Sequence, residues 1–162
     1  MDLGTALVGA IFVVICIIPF ILMSRNSKKK AKKMLQNLNE IAAAKNGVIH
    51  AHEFSGDTGI GIDKKRSEVY FYKSFDDKVF TNTVDLSNVK KCNVIKTNRV
   101  INGEYKNQIL IDRVDLEFQL NKPANSKLNL EFFNAEHTMV LNGELQLAEG
   151  WAGLINQQIL SK

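Results

Sequence analysis

An uncharged stretch near the N-terminus constrains this chain more than any other feature. Residues 3–23 read LGTALVGAIFVVICIIPFILM, which is 21 residues without a charged side chain. As an α-helix, this stretch is about 31 Å long, close to the thickness of the hydrocarbon core of a bilayer. The sequence therefore predicts one transmembrane helix.

The alternative is a secretory signal that is removed after export. Such a signal has a basic start, a shorter apolar core and a cleavage site of small residues. This chain begins with Met1 and Asp2, and Pro-Phe-Ile-Leu-Met stands where the cleavage site would be. We therefore expect a retained anchor over residues 1–24, with Pro19 tolerated inside the helix.

Basic residues follow the apolar stretch directly. Residues 24–50 contain seven Lys or Arg and one acid, whereas residues 51–162 contain fourteen basic and fifteen acidic side chains. Positive charge beside a span marks its cytoplasmic side, so we expect the N-terminus outside and the C-terminal domain in the cytoplasm, at the inner (cytoplasmic) membrane. Because the C-terminal part has no basic surplus, we do not expect nucleic acid as a partner.

A basic juxtamembrane helix is predicted over residues 25–47. Apolar residues recur at helical spacing, and Asn46-Gly47 supplies a stop: they are Met34, Leu35, Leu38, Ile41 and Ala42. The lysines before this stripe either contact anionic lipid headgroups or serve to fix the topology, and both roles are compatible. These lysines are Lys28, Lys29, Lys30, Lys32 and Lys33.

After Gly47 the period changes from helical to alternating, which predicts a mainly β domain. The clearest case is residues 112–120, where apolar and polar side chains alternate so that one face is buried and the other is wet. The predicted strands are residues 48–54, 59–63, 68–73, 78–86, 91–99, 108–120, 128–134 and 138–141.

Helical spacing returns at residue 144 and predicts a C-terminal helix with a wide apolar face. Asn142 is the expected N-cap, and Glu144 suits the positive end of the helix dipole. Gly150 and Gly153 flank Trp151, the single Trp of the chain. We expect these two glycines to allow close packing of the helix backbone against the sheet.

An IGID-turn-EVYFY hairpin at residues 60–72, further antiparallel strands and a closing helix with a central Trp resemble a pleckstrin-homology-like (PH-like) domain of bacterial membrane proteins. The resemblance covers residues 59–162. It implies a bent antiparallel barrel or sandwich closed by the C-terminal helix, within a cytoplasmic domain at residues 48–162. It also implies that Trp151 anchors the core and that the domain binds or scaffolds without catalysis.

In lipid-binding members of that family, the first hairpin carries basic residues. Their counterparts in this chain are Lys64, Lys65 and Arg66, in a turn beside Asp63. The resemblance implies an anionic contact at this turn, and the alternative is an ordinary solvated turn.

We find no pattern that predicts catalysis. His50 and His52 share one face of a predicted strand, but no third metal ligand stands at a familiar spacing. Residues 56–61 are glycine-rich yet lack the Gly-Lys-Ser/Thr of a phosphate loop, so a turn or bulge is favoured. We therefore predict a protein that is not an enzyme, with no cofactor and no metal.

Two functions remain. The first is an accessory or scaffolding subunit that binds other membrane proteins. Its contacts would include the small residues Ala6 and Ala10 in the span, and Tyr70 and Tyr72 on the outer face of the first hairpin, unless these tyrosines serve cross-strand packing. The second is a lipid-sensing module that binds anionic headgroups through the lysines of residues 28–33 and the Lys64-Lys65-Arg66 turn.

Overall fold

The computed structural model describes residues 29–76, 78–101, 108–123, 126–138 and 140–161. The chain divides into two units, Met1–Gln36 and Asn37–Lys162. The predicted anchor, with Ala6 and Ala10, lies outside the described residues, as does Lys28. Within the described ranges, no helix combines the length and apolarity needed to cross a membrane.

The first described helix, α1, covers residues 29–43 and confirms a helix over that range. It ends at residue 43, a few residues before the predicted end, and Asn46-Gly47 form the predicted stop. Asn46 has a left-handed φ of 56°, and its N–H lies 2.9 Å from the carbonyl oxygen of Ala43. The N–H of Gly47 reaches back to the carbonyl oxygen of Ala42 at 2.8 Å. These two bonds form a Schellman motif, which satisfies carbonyls that the helix itself leaves unpaired.

Two antiparallel sheets follow α1, with strand orders β1-β2-β3-β4 and β5-β6-β7. Their formation confirms the mainly β fold and seven of the predicted strands, with ends shifted by a few residues. The strands are β1 (Ala51–Ser55), β2 (Thr58–Asp63), β3 (Glu68–Phe75), β4 (Lys78–Asp85), β5 (Val89–Ile101), β6 (Gln108–Leu120) and β7 (Lys127–Asn134).

The eighth predicted strand, at residues 138–141, is wrong. Thr138, Val140 and Leu141 are not in a strand. Thr138 closes a turn by donating its N–H to the carbonyl of Asn134. Val140 is 62% exposed, so this apolar side chain lies largely in solvent.

A shared core lies between the two sheets. Val114, Leu116 and Phe118 of β6 are fully buried in it, as their alternation predicted. The opposite face of β6 is not wet, however, since Asp115 and Glu117 are also buried. Cationic side chains cover these carboxylates: Arg113 Nε lies 2.7 Å from Asp115 and Lys127 Nζ lies 3.1 Å from Glu117.

The C-terminal helix, α2 (Glu144–Leu160), packs on this core. Trp151 is buried among the core residues, which confirms its predicted role. Its indole N–H donates to Glu53 Oε2 of β1 at 3.1 Å. The buried indole therefore has the polar partner that a core Trp needs.

Two details of α2 differ from expectation. Its N-cap is Gly143, with a φ of 101°, and glycine has no side chain to cap the helix. Asn142 instead donates its backbone N–H to the Glu144 carboxylate. Gly150 and Gly153 do not serve close packing, since a Cβ at either position would meet nothing within 4 Å. Both glycines lie on the exposed side of the helix.

Candidate functional site

Each sheet has two edge strands, β1 and β4 in one and β5 and β7 in the other. These strands differ in their contacts with the rest of the domain. The edge of β5 is closed by α2. Asn156 accepts the N–H of Cys92 at 2.9 Å and donates its amide to the Cys92 carbonyl at 2.8 Å. At this one position of β5, a single side chain thus takes both backbone groups that an added strand would use. Burial raises the pKa of the Cys92 thiol to about 12, so this cysteine is a small apolar core residue.

A side chain from another element reaches the backbone of β7 at one position, and β1 is tied to the domain through its own side chains. On β7, the carbonyl of Phe132 accepts a hydrogen bond from Thr58 Oγ1 at 3.2 Å. On β1, Glu53 accepts from Trp151, and Ser55 Oγ donates to the carbonyl of Asn142 at 2.8 Å. Both strands are therefore tied to neighbouring parts of the domain.

The edge of β4 is different. β3 lies on one side of β4, and among the described residues no strand lies on the other. Residues 78–82 are all exposed, and the apolar side chains of Val79 and Phe80 are each 55% exposed. An edge strand with exposed apolar residues is a surface that proteins ordinarily protect.

A cleft opens beside this edge, between β3 and β4 of one sheet and β7 of the other. Its volume is about 580 Å³, within the range of ligand-binding pockets. The apolar lining consists of Phe71, Phe75, Val79, Phe80 and Leu130. The polar lining consists of Lys73, Thr81, Asn82, Asn129, Glu131 and His137.

An ion pair crosses the cleft from sheet to sheet. Lys73 Nζ lies 2.8 Å from Glu131 Oε1, and both side chains are largely buried. Burial alone would raise the pKa of Glu131, but the hydrogen bond and charge of Lys73, with the Asn134 amide and Arg113, hold this pKa below its usual value. The carboxylate is therefore ionised at neutral pH and neutralises the ammonium beside it.

His137 forms one end of the cleft. A turn positions this residue. The backbone N–H of His137 donates to the Asn134 carbonyl at 3.0 Å, and the backbone N–H of Glu136 donates to Asn134 Oδ1 at 3.0 Å. The imidazole stacks on Phe75 with ring centroids 4.2 Å apart. A smaller cavity of about 40 Å³ shares Lys73, Phe75 and His137 with the cleft. This arrangement offers a flat aromatic surface next to hydrogen-bonding groups.

The predicted basic turn is held from beneath by Asp63. Its carboxylate accepts the N–H groups of Val48, Lys65 and Arg66 at 2.8–3.0 Å. Burial by itself would raise the pKa of Asp63, yet these hydrogen bonds and His50 lower it overall. The Asp63 carboxylate thus holds the backbone of the turn in place.

The three basic side chains of this turn are not equivalent. Lys64, Lys65 and Arg66 are exposed. Arg66, however, is paired with Glu68, with Nε 3.2 Å from Oε2. The hydrogen bond from Arg66, followed by that from Tyr70, lowers the pKa of Glu68. An anion at this turn would meet the two lysines, while the guanidinium already has a carboxylate.

The lysines of α1 are accessible within the described range. Lys29, Lys30, Lys32 and Lys33 are all exposed. Accessibility is compatible with both roles predicted for them, and nothing in their geometry selects one.

Tyr70 and Tyr72 lie on the face of β3 opposite Phe71, as the alternation predicted. The proposed partner surface is nevertheless wrong, since Tyr70 is 0% and Tyr72 5% exposed. The hydroxyl of Tyr70 donates to Glu68 Oε2 at 2.6 Å. Burial, then this bond, raises the pKa of Tyr70 above its ordinary value.

Glycines explain why this outer face is covered. Gly59 and Gly61 of β2 pair with Tyr72 and Tyr70. A Cβ on Gly59 would lie 3.4 Å from Leu38, and a Cβ on Gly61 would lie 3.2 Å from Ile49. The absent side chain of Gly61 lets Ile49 approach the strand closely, and Leu38 lies at ordinary contact distance from Gly59. These two residues lie over the face that carries both tyrosines.

The two histidines considered as metal ligands have other contacts. His50 Nδ1 lies 3.4 Å from Asp63 Oδ1, and the His52 ring packs on Phe54 at 5.3 Å. In the portion of the chain that the structure describes, no group of three His, Cys, Asp or Glu is placed to hold a metal. Gly56, with a φ of 56°, forms part of a β1–β2 turn, which confirms the start of the predicted turn. The rest of the glycine-rich segment, residues 58–61, is regular strand β2.

The cleft itself was not predicted. Its members come from β3, β4, β7 and the turn after β7, and the sequence separation between Lys73 and Glu131 is 58 residues. A signal did exist: between Lys78 and Asp85, β4 carries the uncharged run Val-Phe-Thr-Asn-Thr-Val, which places an exposed aromatic residue in the middle of the strand. Comparison with protein-family models, curated proteins and solved structures finds no match to the chain.

Proposed function

We propose that this chain is a single-pass, membrane-anchored binding protein that serves as an accessory subunit of a membrane protein complex. In this proposal, residues 3–23 span the inner membrane and the PH-like β domain binds a partner protein in the cytoplasm without catalysing a reaction. The uncharged span followed by basic residues supports the anchor. The open cleft beside β4 is the observation that carries the binding role.

The chemistry of the cleft favours a protein partner over an anionic headgroup. Phe75 and Phe80 supply rigid aromatic area, which is typical of protein-binding surfaces, over the buried Phe71. The charges of Lys73 and Glu131 cancel each other at 2.8 Å, so the cleft has no cationic surplus for a phosphate. A partner segment with apolar side chains fits these groups.

Quantitative crosslinking from native membranes tests the proposal. Tagged full-length protein is compared with Phe80→Ser and with the control Ile109→Ser, which removes an apolar side chain that is 70% exposed and outside the cleft lining. We expect a near-stoichiometric membrane protein whose recovery falls at least tenfold for Phe80→Ser and stays within twofold for the control. Equal recovery from all three proteins, or no partner, would contradict the proposal.

The second candidate is an anionic-lipid sensor. The exposed lysines of α1, with Lys64 and Lys65, favour it. The full chain in nanodiscs with and without anionic lipid distinguishes the two functions. A sensor shows slower hydrogen exchange at residues 63–67 when anionic lipid is present, and a Lys64→Gln/Lys65→Gln variant loses this effect. An accessory subunit shows the same exchange in both lipids.

A further inference from the structure

The backbone of β4 offers hydrogen-bonding groups at its outer edge. In an antiparallel sheet, successive residues direct their N–H and C=O groups to opposite sides of the strand. Ser74 donates its N–H to Asp57 on the β2 side, so Lys73 and Phe71 direct theirs to β4, where they pair with Phe80 and Asn82.

By the same alternation, Val79, Thr81 and Thr83 direct their backbone groups away from β3. Thr83 N–H is satisfied locally by Asn82 Oδ1 at 2.9 Å. The β3–β4 register has no shift along its length, so no bulge turns this edge away. The backbone N–H and C=O groups of Val79 and Thr81 therefore point to the outer edge of β4.

The composition of β4 is unusual for an edge that remains in solvent. Residues 79–84 contain no charge and no proline, and most of them are β-branched or aromatic. Natural edge strands are usually protected by a charge, a proline or a bulge. In this domain the backbone of β5 is bonded by Asn156 at Cys92 and that of β7 by Thr58 at Phe132. The charges of β4, Lys78 and Asp85, stand at its two ends, which leaves positions 79–84 without one beside the cleft.

From these observations, and resting on the proposed function, we infer that the partner contributes an extended, uncharged segment that adds to the edge of β4 as a further strand. Its backbone pairs with Val79 and Thr81, and its alternate apolar side chains enter the cleft against Phe80 and Leu130. Strand addition of this kind obtains affinity from main-chain hydrogen bonds and specificity from alternate side chains.

The charge and the space of the cleft both favour an extended, uncharged segment as the bound partner. The Lys73–Glu131 pair leaves no net charge to match, which favours uncharged side chains in the cleft. The far side of the cleft is bounded by β7 through Leu130 and Glu131. A single extended segment brings one strand into this gap, whereas a second copy pairing through its own β4 would bring a whole sheet.

The probe is a display library of random twelve-residue peptides, presented to the full-length protein in lipid nanodiscs. Thr81→Pro removes the outward N–H at an edge position where proline is tolerated, and Thr81→Val keeps that N–H as a matched control. For synthesised peptides from the enriched pool, we expect binding at least tenfold weaker with Thr81→Pro and within twofold of the unaltered protein with Thr81→Val. Phe80→Ser should weaken the same peptides at least fivefold.

Hydrogen exchange gives an independent readout that does not depend on a variant. Bound peptide should slow exchange of the Val79 and Thr81 amides at least tenfold and leave the Cys92 amide, already bonded to Asn156, unchanged. The inference is overturned if no peptide is enriched, if enriched peptides bind Thr81→Pro equally well, or if sedimentation shows a dimer that Thr81→Pro dissociates.

The two proposals can fail separately. A membrane partner that depends on Phe80 but is retained by Thr81→Pro would leave the accessory role standing and reject strand addition. Peptides that bind β4 in a chain that recovers no membrane partner would support strand addition and reject the accessory role.

Discussion

Lys73 of β3 and Glu131 of β7 connect the two sheets inside the cleft, with Nζ 2.8 Å from Oε1. Glu131 is further held by the amide of Asn134 at 3.1 Å and faces Arg113 at 3.6 Å. The site that we propose for a partner is thus also a point where the two sheets are fastened. Variants of the ion pair therefore test the stability of the domain, whereas variants of β4 test the binding of a partner.

Replacing Lys73 by Met should lower the free energy of unfolding by about 1–3 kcal/mol, because the mostly buried Glu131 carboxylate loses its closest cation. The control is Lys96→Met, which breaks an ion pair of similar length, 2.9 Å, whose side chains are about half exposed. This control should change stability by less than about 0.5 kcal/mol. Urea unfolding of both variants measures the difference, and equal effects would show that the Lys73 pair is no stronger than a surface pair.

The pKa of Glu131 gives a prediction for pH. Its folded-state pKa lies below the ordinary value of 4.5, so the ionised form is favoured by folding. The stabilisation is fully present above pH 4.5 and is lost as the pH falls through the lower folded-state value. We expect Glu131→Gln to be less stable than the unaltered protein at pH 7, with the difference narrowing below pH 4.5. Unfolding curves at pH 7, 5, 4 and 3 measure it, and a constant difference would contradict this linkage.

The parts of the fold that were predictable are those fixed by local periodicity. β6 follows the predicted range because Val114, Leu116 and Phe118 alternate along one buried face. The end of α1 was predictable because Asn46 and Gly47 have the local chemistry of a helix stop. In each case the determining residues are neighbours in sequence.

Contacts between distant segments were not predictable in the same way. Tyr70 and Tyr72 were expected at the surface because alternation fixes the face of a strand without telling what covers that face. Leu38 and Ile49 cover it, and the signal was indirect: glycines at positions 59 and 61 leave space on that face. The cleft depends on the packing of two sheets, which no local pattern determines.

Asn156 provides a prediction about the protected edge. Asn156→Ala removes both hydrogen bonds to the backbone of Cys92 and leaves a partly buried N–H and C=O without them. We expect a loss of about 1–3 kcal/mol in the free energy of unfolding. Its exposed neighbour provides the control, as Gln157→Ala should stay within about 0.5 kcal/mol.

Hydrogen exchange should localise this effect. The Cys92 amide should exchange faster in Asn156→Ala, while the β3–β4 amides stay at the rate set by global unfolding. An unchanged Cys92 rate in a destabilised variant would mean that Asn156 acts through general packing of α2 and does not close the β5 edge.

The glycines make opposite predictions according to their surroundings. Gly153 lies within α2, and a Cβ there would meet nothing within 4 Å. Gly153→Ala should therefore raise the free energy of unfolding by about 0.5–1 kcal/mol, because alanine favours the helix. Gly59→Ala should lower it by about 1–3 kcal/mol, since its Cβ would lie 2.8 Å from the ring of Phe54 and force a shift.

Thermal unfolding of both variants, with Gly150→Ala as a second helix position, measures these changes. Gly150 is also open to a Cβ, so it should behave like Gly153, and its agreement guards against an effect peculiar to one site. Stabilisation by Gly59→Ala would mean that the Phe54 ring does not pack closely on Gly59, because the 3.4 Å separation from Leu38 is an ordinary contact that can accept the new Cβ.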